Sequence, residues 1–114
     1  MNTKIRDYYD LHPVQFDLVN KLVIQTVNDA GVFESWLEIE LMAKPEDSKS
    51  LNLQFQGIRS LVIDQPAWSL FQIELLEPLS LESDQLEGIN YKVKNSDGTI
   101  SFVCRDFSCY IDKA

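Results

Sequence analysis

His12 is the one histidine of the chain, and Asp10 and Asp17 flank it in sequence. An imidazole held by a carboxylate can act as a general base. That chemistry needs a hydroxyl or thiol within reach, and no serine or cysteine here sits in a recognisable nucleophile motif. His12 therefore reads as a structural or surface residue, and no catalytic residue is expected. Cys104 and Cys109 are the only cysteines. A zinc ribbon needs a second pair, which the chain lacks. The acidic residues do not follow the alternating Asp/Asn, glycine and glutamate order of a calcium loop. Gly31, Gly57, Gly88 and Gly98 are scattered, so there is no phosphate-cradling glycine loop. Neither metal nor cofactor is expected. Glu38 and Glu40 share one face of an alternating stretch, about 7 Å apart. Paired carboxylates serve glycoside chemistry, but i, i+2 acids on a strand read first as its solvated face.

The clearest charge signal lies in the middle of the chain. No Lys or Arg occurs between Arg59 and Lys92, whereas Asp64, Glu74, Glu77, Glu82, Asp84 and Glu87 all fall there, with Trp68 and Phe71 among them. Carboxylates with aromatic anchors are the make-up of a protein-binding face. These eight residues are the candidate partner-binding set. The competing reading makes the aromatics core and the acids solubilising.

Those residues need elements to carry them. Residues 89–94 alternate apolar and polar, the period of a strand with one dry face. Asn95-Ser96-Asp97-Gly98 supplies a turn, with Gly98 expected at positive φ. Residues 99–111 return with apolar side chains on both faces and read as one central strand. A four-residue loop sets Tyr91 opposite Phe102, and a three-residue loop with a bulge sets it opposite Val103. Upstream, residues 19–27, 36–43, 51–56 and 58–63 read as strands, with a bend at Gly57. Residues 70–76 fit either period and are taken as strand, with 79–81 a short edge piece. Residues 3–11 read as a short helix stopped by His12-Pro13. The expected fold is mainly β: an antiparallel sandwich, or a partly open barrel or meander, of about six strands with one short N-terminal helix.

The chain has 114 residues, enough for one domain, 1–114, in which residues 1–18 need not be tightly attached. Apolar residues make up 45% and charged residues 25%, ordinary globular values. The net charge of −8 opposes binding to nucleic acid or to an anionic membrane, which both require positive charge. It suits a basic protein partner. There is no basic-then-apolar leader and no apolar run of membrane-spanning length, so a cytoplasmic location is expected. On one continuous strand Cys104 and Cys109 would stand about 16 Å apart, too far for a disulfide, so two free thiols are expected.

The segments LVNKLVIQ, WLEIEL, LNLQFQGIRSLVI and a loop with PAW precede a hairpin ending in ISFVCRDF. This order resembles a set of small bacterial all-β proteins of unknown function, some of them grouped with polymorphic-toxin immunity proteins. The resemblance covers residues 19–111 and is a pattern of strands. It implies a non-enzymatic, acidic binder of a toxin domain. The alternatives are a small-molecule-binding β domain with its site between the sheet and segment 64–88, and a protein acting as a homodimer.

Overall fold

A computed structural model describes residues 3–43, 49–64, 75–81, 89–95 and 99–113. Gly98, Trp68, Phe71, Glu74, Glu82, Asp84 and Glu87 lie outside the described residues, as does nearly all of 70–76.

The chain begins with helix α1 (Thr3–Asp10). Its apolar positions Ile5 and Tyr8 are three apart and both are buried. His12 stops it in the left-handed region at φ 56, ahead of a single 3₁₀ turn at Pro13–Gln15. Eight strands follow among the described residues: β1 (Leu18–Asp29), β2 (Val32–Met42), β3 (Lys49–Gln56), β4 (Arg59–Ile63), β5 (Leu76–Ser80), β6 (Tyr91–Asn95), β7 (Ile100–Cys104) and β8 (Asp106–Lys113). They form two antiparallel sheets, ordered β1-β2-β3-β8 and β4-β7-β6-β5. The fold is a β-sandwich, with two more strands than the patterning suggests.

One extra strand comes from residues 99–111, which are not one strand. The run breaks at Arg105, and the chain passes from the second sheet to the first. The break also changes side-chain parity. Phe102 and Phe107 are five apart and would face opposite ways on a continuous strand. With one residue spent on the corner, both point into the same core, at 1% and 2% exposure. Phe55 of β3 meets Phe102 edge-on at 4.8 Å and Phe107 at 5.9 Å, and Tyr91 meets Phe107 at 4.9 Å. Leu37, Ile39, Leu41, Leu51 and Leu53 complete one wall of the core, and Val93 and Ile100 belong to the other.

A second corner stacks on the first. Gly57, at φ 66, lets the chain leave β3 for β4. A Cβ there would stand 3.1 Å from the Arg105 Cβ. The Arg105 N–H donates to the Gln56 carbonyl at 2.9 Å, joining the two corners.

The β6–β7 hairpin takes neither of the two registers expected for it. Tyr91 faces Cys104 and Val93 faces Phe102. The cause is Asn95, which stays in the strand, fully buried, because its Oδ1 accepts the Ile100 N–H at 3.0 Å. Of the expected strand 70–76, residues 70–74 lie outside the described residues, and the expected edge piece 79–81 falls largely within β5. β5 begins at Leu76, where a strand was expected to end, and runs through Pro78. A proline fits there because β5 is an edge strand.

Candidate interaction surface

The first sheet offers a wide polar face to solvent. Because Leu37, Ile39 and Leu41 of β2 and Leu51, Leu53 and Phe55 of β3 point inward, the residues between them point outward. Register aligns these residues in rows across four strands. One row is Lys21, Glu40, Asn52 and Tyr110. The next is Val23, Glu38, Gln54 and Ser108, and a third is Gln25, Trp36, Gln56 and Asp106. The face is concave. A groove of about 230 Å³ is lined by residues of all four strands, among them Lys21, Glu38, Glu40, Asn52, Gln54 and Tyr110. Tyr110 is 58% exposed on its rim.

Amides hold the carboxylates of this face. Glu38 Oε1 accepts from Gln54 Nε2 at 3.2 Å and from Gln25 Nε2 at 3.4 Å. Gln56 Nε2 extends the chain by donating to Gln54 Oε1 at 3.1 Å. Glu40 Oε1 accepts from Asn20 Nδ2 at 2.6 Å. A neutral amide orients a carboxylate without cancelling its charge. The face therefore presents fixed negative charge, offset by Lys21 opposite Glu40. Further along, Glu34 Oε1 accepts from Arg105 Nη2 at 2.8 Å and from Trp36 Nε1 at 2.7 Å. The Arg105 hydrogen bond, followed by that of Trp36, holds the Glu34 carboxyl below the usual carboxylate range.

Two of the eight residues expected to form a binding set are described. Asp64 is exposed after β4, its N–H donating to the Thr99 carbonyl at 2.7 Å. Glu77 lies on β5, opposite Lys94 of β6. β4 and β5 are the two outer strands of the second sheet, so these carboxylates stand about 14 Å or more apart. Cross-strand pairing also gives Glu77 a cationic neighbour that sequence distance conceals. Glu38 and Glu40, read in sequence as a mere solvated face, gain their partners from two other strands, β1 and β3. The signal was the alternation of 51–56, which placed Asn52 and Gln54 outward; the pairing that joins them to the acids is not local.

His12 is exposed at the end of α1. No group of three His, Cys, Asp or Glu residues among the described residues is arranged to hold a metal ion. No described helix is long and apolar enough to cross a membrane. Cys104 and Cys109 are free thiols. Burial pushes the Cys104 thiol up to about 12, and burial also raises Cys109.

A family model described as "Immunity protein PIM8" matches residues 1–110 of the chain. No curated protein and no solved structure matches it.

Proposed function

We propose that this chain, which belongs to the PIM8 immunity protein family, neutralises a basic toxin domain by covering it with the outer face of its first sheet. Family membership supports a protein-interaction role. The observation that carries the choice of surface is the amide-held pair Glu38 and Glu40 in a concave, four-strand-wide face with Tyr110 on its rim. Preset carboxylates speed encounter with a cationic partner, and an exposed tyrosine can be buried in the complex with little loss of side-chain freedom. The net charge of −8 acts in the same direction at longer range. Neither catalysis nor a cofactor enters this reading, and binding within the cytoplasm agrees with the charge and the two free thiols.

The stretch 64–87 is the second surface, favoured by its composition: six carboxylates with no Lys or Arg among them, beside Trp68 and Phe71. The experiment separates the two. Partners are captured from native lysate at low and moderate salt, using the unaltered chain, a Glu38→Lys/Glu40→Lys variant and a Glu74→Lys/Glu77→Lys/Glu82→Lys variant. Loss of a salt-sensitive basic partner with the first variant alone supports the sheet face. Loss with the second alone moves the site to 64–87, and loss with neither refutes a charge-driven interface.

A further inference from the structure

The two sheets have four edge strands, and they are not alike. β5 carries Pro78, and Tyr8 of α1 donates its hydroxyl to the Leu76 carbonyl at 2.8 Å. β8 lies under α1, with Lys4 Nζ on the Phe107 carbonyl at 3.1 Å and paired to the Asp106 carboxylate. β4 is five residues long, with Ser60 at φ 56 and a register shift between Arg59 and Val62. Each of these devices blunts an edge against further pairing. β1 has the least of them. It runs for twelve residues and, past an irregularity at Asn20, keeps regular register from Lys21 to Asp29. It contains no proline, and among the described residues it pairs only with β2.

We propose that β1 is a homodimerisation edge, pairing antiparallel with β1 of a second copy about a two-fold axis at Val23 to make one continuous eight-stranded sheet. The composition of the strand selects a second copy as occupant. In a chain of net charge −8, β1 holds one carboxylate, Asp29 at its end, and a single Lys, so two acidic molecules can meet along its middle, residues 19–27, without like charges opposed. The strand is also self-complementary. Opposing residues of an antiparallel pair lie on the same face of the sheet, so a two-fold axis must pass at a residue. With the axis at Val23, Val23 faces its own copy, Leu22 faces Ile24, and Lys21 faces Gln25. Apolar meets apolar, and polar meets polar. With the axis at Leu22 or Ile24, Lys21 would face Val23 or Val27. The pairing also covers Ile24, which is 50% exposed in the single chain. The inference does not depend on the toxin-binding reading: Val23 shares a row with Glu38, but Tyr110 lies at the opposite side of the sheet, and self-association is measured without any partner.

Sedimentation equilibrium of the purified chain across a range of concentrations tests it, together with mild oxidation of cysteine variants. The proposal expects the mass to double with concentration. Val23→Lys sets two ammonium groups face to face across the axis, yet within one copy it lies opposite Glu38, so the fold is kept. It should weaken self-association by about tenfold or more. Val23→Cys should cross-link as a dimer, since the paired Cα distance suits a disulfide, and Val27→Cys should not. A mass that stays monomeric overturns the proposal. So does a dimer indifferent to Val23→Lys, or cross-linking equal at both positions.

Discussion

Phe107→Ala tests the corner at Arg105, on which the core depends. Phe107 is 2% exposed, with ring contacts to Phe55 and Tyr91. Its ring also borders a narrow gap lined by Tyr8, Leu53, Leu76 and Val93. Loss of the buried ring forfeits about 2–3 kcal/mol of transfer free energy. Each of two aromatic pairs adds about 0.5–1.5 kcal/mol. The sum, about 3–6 kcal/mol, overlaps the usual cost of about 3–5 kcal/mol for a core Phe→Ala change. The site has little means of collapse, because both sheets are cross-braced at the neighbouring corner by Arg105 N–H to the Gln56 carbonyl. Urea unfolding followed by tryptophan fluorescence is the assay. With a slope of about 1–3 kcal/mol per molar, the midpoint should fall by about 1 M or more. Phe107→Leu, which keeps most of the volume, should cost clearly less and covers the case in which the alanine variant does not fold. A Phe107→Ala midpoint within about 0.3 M of the parent, at equal slope, would mean that Phe107 faces solvent. The corner would then be wrong.

Three further perturbations follow from the same structure. The β1–β2 turn holds Ala30 at φ 52 and Gly31 at φ 85, the geometry that favours Asn-Gly, so Ala30→Asn should stabilise by about 0.5–1 kcal/mol in thermal unfolding. Asn95→Ala leaves the buried Ile100 N–H without its acceptor and should cost about 1–3 kcal/mol, read in the same urea titration. Alkaline pH should also destabilise the fold. Burial raises the Cys104 thiol from 9.0 to about 12 and raises the Tyr8 hydroxyl, so above pH 9 the unfolded chain sheds protons that the native chain keeps. Their stabilisation is complete below pH 9 and is lost progressively as pH rises toward 12, at up to about 1.4 kcal/mol per pH unit for each group. Denaturant midpoints between pH 8 and 11 check this, and Cys104→Ala should reduce the slope.

Much of the strand content was legible because sheets with one wet face write their period into the sequence. Leu37, Ile39 and Leu41 against Glu38 and Glu40, and Leu51, Leu53 and Phe55 against Asn52 and Gln54, announce β2 and β3. The Arg105 corner was not legible. ISFVCRDFSCYI contains no glycine or proline, and the one-residue break only alternates which face is apolar, so it imitates a strand buried on both sides. The hairpin register was missed because Asn95 reads as a turn residue, whereas its side chain does the work of a ladder partner inside the strand. The candidate face was half legible. Outward orientation follows from alternation, but the meeting of Glu38 with Gln25 and Gln54 depends on strand order, which carries no local signature. Conversely, sequence proximity grouped Asp64 with Glu77, and the second sheet places them on opposite edges.

The central claim is that Glu38 and Glu40 form the partner-facing surface of an immunity protein. The most direct measurement is the association rate of the captured basic partner against ionic strength, for the parent chain and for Glu38→Lys/Glu40→Lys. The account predicts a parent rate that falls steeply with salt, and a variant rate about tenfold or more slower at low salt with a nearly flat dependence. Equal rates and equal salt slopes in the two proteins, with the variant folded, would contradict it.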